Sequence, residues 1–210
     1  MLVKCSRFAY NTAMNSTQQI DVDIAIVGAG LVGASLAHLL ARLPLKVALI
    51  DQREFSPLKT SFDSTELEFD PRVSALTEAS KLLFQKLGIW EVIVDKRVSP
   101  YQEMEVWDAD GTGSINFSAS EIGGSELGHI VENSIVLCAL LDSLASIENL
   151  ELVGGAAIAQ LTLGNNDGDK ARITTESGTL ISASLVVAAD GGNSPIRKLA
   201  NIDTKEWDYD

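Results

Sequence analysis

Three glycines near the start of the chain have the type and spacing that could hold a pyrophosphate. Gly28, Gly30 and Gly33 lie between an apolar, strand-like run (residues 23–27) and a helix-like run (residues 31–43). The first glycine permits a tight turn, the second lets the backbone approach phosphates, and the third lets the helix pack closely on the strand. Because a helix N-terminus carries free N–H groups and partial positive charge, this pattern predicts a dinucleotide cofactor.

An acidic residue follows at the place where such a site needs one. Residues 46–50 read as a second strand, and Asp51 stands directly after it, 23 residues beyond Gly28. The motif expects an acid about 20 residues on, where its carboxylate accepts hydrogen bonds from ribose hydroxyls. A carboxylate there disfavours a 2′-phosphate, so the site suits FAD or NAD better than NADP. The alternative is a strand–helix–strand unit whose glycines serve packing only.

Composition limits the class of protein. The 210 residues allow one large or two small domains, and a hydrophobic content of 46% is ample for a core. A net charge of −13 argues against a nucleic-acid partner, because phosphate backbones need a basic surface. Cys5 and Cys138 lie far apart and have no metal-ligand spacing, which fits a reducing compartment. No apolar run is as long as a membrane span. We therefore expect a cytoplasmic protein.

The chain divides unevenly. Residues 1–20 contain no run typical of a signal peptide, and we predict a disordered leader there, with Met14 open as an alternative start. We assign residues 21–210 to one folded domain.

Further along, residue patterns predict a series of elements. Thr77 can cap a helix that ends at Gly88, and residues 132–134 can cap another that runs to about residue 147. The predicted strands, in chain order, are 102–107, 114–117, 150–153, 156–163, 170–175, 179–181 and 185–189.

These strands predict where a ligand would bind. The last of them, residues 185–189, is wholly apolar, as is typical of a buried parallel strand, and leads to Asp190. Open α/β sheets bind ligands at the carboxyl ends of their strands. Gly28, Asp51 and Asp190 all fall at such ends, so three loops should converge on one crevice of a layered α/β domain.

Four motifs in the chain are informative together. They are Gly28-Ala-Gly-Leu-Val-Gly33, Asp70-Pro-Arg-Val-Ser-Ala-Leu76, Gly128-His-Ile-Val-Glu-Asn133 and Leu185-Val-Val-Ala-Ala-Asp-Gly-Gly-Asn-Ser-Pro-Ile-Arg197. With these motifs the chain resembles the FAD-dependent aromatic hydroxylases of ubiquinone biosynthesis, a branch of the p-hydroxybenzoate-hydroxylase-like flavoprotein monooxygenases. The resemblance implies a Rossmann-like domain of the glutathione-reductase type, with a parallel sheet, a β-meander and part of a substrate-domain sheet.

The resemblance also implies site residues. It gives a cofactor-binding role to Gly28, Gly30, Gly33, Asp51, Arg72, Asp190 and Gly191, and it identifies no catalytic side chain and no metal ligand. Arg72 would lie along the FAD, and the less favoured alternative is a surface arginine in a loop. Asp190 and Gly191 would serve both FAD and NAD(P)H, but Asp190 alone reads equally as a turn residue or helix cap. Arg197 would support that loop or merely lie on a helix.

The implied reaction uses two redox partners. NAD(P)H reduces the FAD, which reacts with O₂ and hydroxylates a polyprenyl phenol or another aromatic small molecule, while the protein supplies orientation and dryness. Peripheral contact with the inner membrane, or with a ubiquinone-synthesis complex, stays open, and a mitochondrial matrix location is less favoured.

The chain also departs from the family. Relatives are roughly twice as long, and their second half carries a further FAD motif that we do not find here. We therefore expect an N-terminal fragment with weak FAD affinity, no hydroxylation on its own and a tendency to aggregate. A catalytically inactive remnant or assembly subunit, and another FAD enzyme such as a reductase or halogenase, are alternatives. An NAD dehydrogenase is disfavoured because it needs neither Arg72 nor the Asp190 loop.

Overall fold

The computed structural model describes residues 18–55, 69–166 and 168–207. Within these, residues 18–55, 140–166 and 168–207 form one compact unit, and residues 69–139 form a second. The predicted leader falls almost wholly outside the described residues, but its last two residues, Gln19 and Ile20, already belong to a strand. The assignment of residues 21–210 to one domain stays a prediction.

The described residues contain eleven strands. In chain order they are β1 (Gln19–Val27), β2 (Val47–Ile50), β3 (Val73–Thr77), β4 (Ser99–Tyr101), β5 (Glu103–Trp107), β6 (Ser114–Ser118), β7 (Gly128–Glu132), β8 (Leu150–Val153), β9 (Ile158–Thr162), β10 (Ala171–Thr175) and β11 (Leu180–Ala188).

The helices of the described residues lie between these strands. They are α1 (Leu31–Leu40), α2 (Glu78–Leu87), α3 (Trp90–Lys96), α4 (Asn133–Leu144) and α5 (Pro195–Leu199), with a short 3₁₀ turn at Ala119–Ile122. Helices α1 and α4 each end three residues earlier than the sequence patterns predict.

A six-stranded sheet forms the frame of the first unit. Its order is β8-β2-β1-β11-β10-β9, in which the first four strands are parallel and the last two return as an antiparallel meander. Every residue of β2 is buried, as expected for an interior parallel strand covered on both faces. The predicted α/β fold with a parallel sheet and a meander is therefore confirmed.

Strand β11 corrects two of the predictions. The sequence patterns predict separate strands at residues 179–181 and 185–189, but the structure forms one continuous strand. Its first half pairs with β10, whereas its whole length pairs with β1. The pairing with β10 stops at Ala183, so the apolar end of β11 is not fully buried, and Leu185 is 52% exposed.

The second unit contains two smaller antiparallel sheets. One has the order β3-β7-β4, and the other is the two-stranded ribbon β5–β6. Helix α2 begins and ends as predicted: the Thr77 hydroxyl accepts a hydrogen bond from the Ser80 N–H (3.4 Å), and Gly88 has a left-handed backbone (φ 81°). Strands β3, β4 and β7 and helix α3 are elements that the sequence patterns did not predict.

The ribbon β5–β6 exposes several large apolar side chains. These are Met104, Val106, Trp107, Ile115 and Phe117. A two-stranded ribbon with exposed apolar side chains is a recognised aggregation hazard, so the expected tendency to aggregate stays a prediction with a defined location.

Candidate functional site

A cavity of about 610 Å³ lies in the first unit, at the carboxyl ends of β1, β2 and β11. Five of the predicted site residues line it: Gly28, Gly30, Asp51, Asp190 and Gly191. The three loops that follow these strands therefore meet at one crevice, as the sequence analysis expects. The cofactor role of each residue remains a prediction.

The turn after β1 requires glycine at two positions. Gly28 has φ 104°, its N–H donates to the Ile50 carbonyl (2.8 Å), and a side chain there would collide with the backbone of Ala189. A side chain at Gly33 would collide with the Gly28 carbonyl. Gly33 does not line the cavity; it lets α1 pack directly against the turn, which places the N-terminus of α1 at the cavity wall.

Gly30 leaves that helix N-terminus open. It is the N-cap of α1, and it provides no side-chain hydrogen bond to the first-turn N–H groups. A Cβ atom at Gly30 would meet nothing within 4 Å. Helix N-termini with unsatisfied N–H groups and partial positive charge bind phosphates well. The space beside Gly30 therefore fits a pyrophosphate.

Asp51 is buried, and its carboxylate joins the ends of β1 and β2. Its Oδ2 accepts a hydrogen bond from the Ala29 N–H (2.7 Å) in the glycine turn. Its Oδ1 accepts from the Arg53 N–H (2.8 Å), and the Arg53 guanidinium donates to both oxygens, from Nε (3.0 Å) and Nη2 (3.2 Å). The carboxylate thus braces the glycine turn.

These contacts control the charge of Asp51. Burial by itself would raise the pKa of the Asp51 carboxyl, but the hydrogen bonds from Arg53 and Ala29 outweigh it and lower the pKa below its ordinary value. The group is therefore ionised at neutral pH, in the form that accepts hydrogen bonds.

The loop after β11 is held by its own side chains. Oδ2 of Asp190 accepts a hydrogen bond from the Ile196 N–H at the start of α5 (3.0 Å), and Gly191 has φ 88°. Nη2 of Arg197 donates to the Gly192 carbonyl (2.8 Å). Of the two interpretations of Arg197, the structure supports the one in which it fixes this loop. Asp190 makes the contact of a helix-capping residue while lining the cavity.

Arg72 belongs to the second unit. Its N–H donates to Oδ1 of Asp70 (2.9 Å), and its side chain is 82% exposed. Oδ2 of the same carboxylate accepts from the Ser134 N–H (3.3 Å) at the start of α4. Asp70 therefore fixes the backbone of Arg72 and accepts a hydrogen bond from the first turn of α4; the cap predicted from residues 132–134 stays a prediction.

A buried glutamate anchors this turn from beneath. Glu132, at the end of β7, accepts hydrogen bonds from Nε of Arg97 (2.6 Å) and from the Asp70 N–H (2.7 Å). The Arg97 guanidinium also lies 3.9 Å from the centre of the Phe69 ring. The motif at residues 128–133 thus has a structural consequence: it holds the Asp70–Arg72 turn in place.

Several cavity-lining residues were missed by the sequence analysis. They are Gln52, Arg53, Glu176 and the segment 156–158. The segment could have been found, because β8 is itself a parallel strand and its following loop must reach the same sheet edge. Glu176 could not have been found, because only the pairing of the meander brings it to the cavity.

Two further features bear on the class of protein. In the described ranges, no group of three or more His, Cys, Asp or Glu side chains is arranged to hold a metal ion. None of the helices in those ranges is long and apolar enough to cross a membrane.

Together, the parallel strand–helix–strand unit, the glycine turn and the buried acid at the end of β2 define a dinucleotide-binding α/β domain. Residues 21–209 match the protein family described as the FAD binding domain. The chain belongs to that family.

Curated relatives agree with the resemblance seen in the motifs. The chain is 35% identical over 188 residues to 3-demethoxyubiquinol 3-hydroxylase of Escherichia coli (strain K12), covering 89% of this chain and 46% of the relative. It is 31% identical over 205 residues to the mitochondrial ubiquinone biosynthesis monooxygenase COQ6 of Dictyostelium discoideum, covering 90% and 41%. The chain thus spans less than half the length of these relatives.

Solved structures confirm the fold. PqsL of Pseudomonas aeruginosa, in complex with 2-aminobenzoylacetate, matches 90% of this chain and 48% of its own with a TM-score of 0.69 at 21% identity. The flavin-dependent monooxygenase PieE, in complex with FAD and substrate, matches 88% of this chain and 32% of its own with a TM-score of 0.66 at 17% identity.

Proposed function

We propose that this chain provides the FAD-binding part of a flavoprotein monooxygenase that hydroxylates an aromatic ring, with NAD(P)H as the reductant. The observation that carries the proposal is the cavity where Gly28, Gly30, Asp51 and the Asp190 loop meet in a domain of the FAD-binding family. FAD supplies the redox chemistry when bound, and the chain binds and orients it.

Each part of the site suits one part of the cofactor. The first turn of α1, beside the open space at Gly30, would hold the pyrophosphate. The ionised Asp51 carboxylate would accept hydrogen bonds from the adenosine ribose, as in other dinucleotide sites. Asp190 and Gly191 would line the path of the cofactor. The cofactor role of Arg72 rests on the motif resemblance alone, and a guanidinium is of a type that suits a phosphate.

The substrate proposal rests on the relatives. One relative is named as a 3-demethoxyubiquinol 3-hydroxylase and another as a ubiquinone biosynthesis monooxygenase. These names favour a polyprenyl phenol, or another aromatic small molecule, as the compound that is hydroxylated. A substrate of that kind is membrane-soluble, so we propose a cytoplasmic protein that makes peripheral contact with the inner membrane or with other ubiquinone-synthesis enzymes.

Titration of the purified chain with FAD, followed by flavin fluorescence, tests the binding step. We expect saturable, weak binding that Asp51→Asn weakens about tenfold, the loss expected when hydrogen bonds to a charged group are removed. Asp203→Asn is the matched control, because it removes an exposed carboxylate from the same unit. Equal affinities for both variants would contradict the assignment of Asp51.

An activity assay then separates a monooxygenase from an inactive relative. NADH or NADPH should bleach the visible absorption of bound flavin without oxygen. Readmitted O₂ should then reoxidise the flavin without hydroxylating an added phenol, since this chain is expected not to hydroxylate on its own. Flavin that binds but is never reduced by either nicotinamide would favour the remnant or assembly subunit instead.

A further inference from the structure

The Asp51 carboxylate has no acceptor position left for a ribose. A carboxylate offers about four lone-pair sites. Two are taken by backbone N–H groups, those of Ala29 and Arg53, and two by the Arg53 guanidinium. The ribose hydroxyls that Asp51 is proposed to bind are donors too, and they need the same sites.

The backbone at Asp51 is tightly held and its side chain is buried, so a ligand gains an acceptor site on the carboxylate only by displacing one of its present partners. The Asp51 N–H donates to the Val153 carbonyl (3.0 Å), and its own carbonyl accepts from the Ala156 N–H (2.9 Å). Its side chain is only 10% exposed. The two backbone donors to its carboxylate are the Ala29 N–H in the glycine turn and the Arg53 N–H in the turn after β2.

The guanidinium is the removable partner. The Arg53 side chain is 59% exposed, and both Arg53 and Asp51 line the cavity. Because the guanidinium side of the pair is open to water and salt, which screen it, the pair contributes less net free energy than a fully buried one. A ligand that supplies two hydroxyl donors can therefore replace the guanidinium, whereas a ligand without them cannot.

We propose that Arg53 determines the specificity of the adenosine-ribose site: its guanidinium occupies the acceptor positions of Asp51 that a ribose diol needs, and it leaves them when the diol binds. This inference rests on the proposed function of the same cavity. It predicts that Arg53 weakens the preference of the site for a ligand with a ribose diol over the same ligand without one. Only the ligand with the diol has to displace the guanidinium.

The test compares adenosine with 2′,3′-dideoxyadenosine, because both are uncharged and differ only in the diol. Calorimetric or competition titrations give the ratio of their dissociation constants for the wild type, Arg53→Ala and Arg53→Lys. We expect Arg53→Ala to raise the preference for adenosine roughly two- to fivefold, the effect of one exposed ion pair. The preference of Arg53→Lys for adenosine should lie between those of the wild type and Arg53→Ala, because an ammonium lacks the planar fork of a guanidinium.

Arg172→Ala is the matched control, since it removes an exposed arginine from the same unit. Salt provides an independent readout. Raising the ionic strength should strengthen adenosine binding to the wild type, because salt weakens the competing ion pair, and should leave Arg53→Ala unchanged.

The outcomes are distinct. An unchanged diol preference in Arg53→Ala, with FAD still bound, overturns the inference and leaves the proposed function standing. Weaker adenosine binding in Arg53→Ala also overturns it, because Arg53 would then be a ligand contact and no competitor. Failure of both proteins to bind FAD or adenosine overturns the proposed function, and the inference with it.

Discussion

Gly30 and Gly33 lie three residues apart, and glycine has a different consequence at each. A Cβ atom at Gly33 would collide with the backbone carbonyl of Gly28, which no side-chain movement can relieve. A Cβ atom at Gly30 would meet open space, and the backbone there has φ −74°, which any residue adopts. Gly33 therefore serves packing, and Gly30 serves access to the N-terminus of α1.

Substituting alanine at each position separates these roles. Gly33→Ala should lower the free energy of unfolding by about 2 kcal/mol, because overpacking outweighs the better helix propensity of alanine. Gly30→Ala should cost about 1 kcal/mol or less in stability, as the loss of a glycine N-cap does, and should weaken FAD binding severalfold. Urea unfolding and FAD titration measure the two effects. Similar stability losses in both variants would contradict this division.

Asp51 links the charge of the site to the stability of the glycine turn. Its pKa is lower in the folded chain than its ordinary value of 3.8. A group with a lowered folded pKa stabilises the fold above the unfolded pKa, and that contribution is lost as the pH falls through the folded pKa. The carboxylate should thus stabilise the protein at neutral pH and cease to do so in acid.

Comparison with Asp51→Asn across pH tests this sign. The wild type should be more stable than the variant at about pH 6. The difference should shrink below the ordinary pKa of 3.8 and be lost as the pH falls through the lower folded pKa. Thermal midpoints at each pH give the difference. A constant or growing gap on acidification would show that the carboxylate contributes by its shape alone.

At the level of elements, the second unit depends on one buried ion pair. Glu132 at the end of β7 is 5% exposed and holds both Arg97, at the end of α3, and the Asp70 N–H, before β3. Three elements distant in sequence are thus joined at one carboxylate. The orientation of the Arg72 turn depends on this contact, since the Asp70 carboxylate accepts the hydrogen bond from the Arg72 N–H.

Removing that carboxylate should be costly. Glu132→Ala should lower the free energy of unfolding by about 3 kcal/mol, because it removes the buried carboxylate that accepts hydrogen bonds from both the Arg97 guanidinium and the Asp70 N–H. Glu132→Gln should lower the free energy of unfolding by less, since its amide oxygen can still accept a hydrogen bond from the Asp70 N–H. Denaturation followed by tryptophan fluorescence measures both, with exposed Glu121→Ala as the control. A loss of stability in Glu132→Ala no larger than that in Glu121→Ala would contradict the proposed role of the Glu132 carboxylate.

At the level of the whole molecule, the charge opposes the proposed cofactor. The chain carries a net charge of −13, and the pyrophosphate of FAD is also negative. Long-range repulsion should slow their encounter, even though the N-terminus of α1 is locally favourable.

The rate of FAD association should therefore rise with salt. Between about 0.01 M and 0.15 M ionic strength, the Debye length falls from about 30 Å to about 8 Å, which screens the repulsion. Stopped-flow flavin fluorescence should show a rate increase of a few-fold. A rate that falls with salt would mean that a local basic surface, such as Arg72, dominates the approach.

Most of the site could be predicted from the sequence because its signals are local. A glycine turn, an acid directly after a strand and an apolar strand leading to Asp-Gly are all read within a few residues. Strand β11 was divided wrongly for the same reason. Ser182 and Ser184 interrupt its apolar pattern, and only pairing with β1 along the whole strand shows that it continues.

The sequence by itself determined the dinucleotide-binding class and the strand ends where the loops must meet, because these follow from short-range periodicity and backbone requirements. The FAD-binding family came from the resemblance of the four motifs to known proteins. Only the tertiary structure decided which partners the charged groups take. The ion pair of Arg53 with Asp51 lies close in sequence, but it depends on the angle of the turn after β2. The contacts of Glu132 with Asp70 and Arg97 span 62 and 35 residues. Side-chain hydrogen bonds of this kind are fixed by packing, which no local pattern encodes.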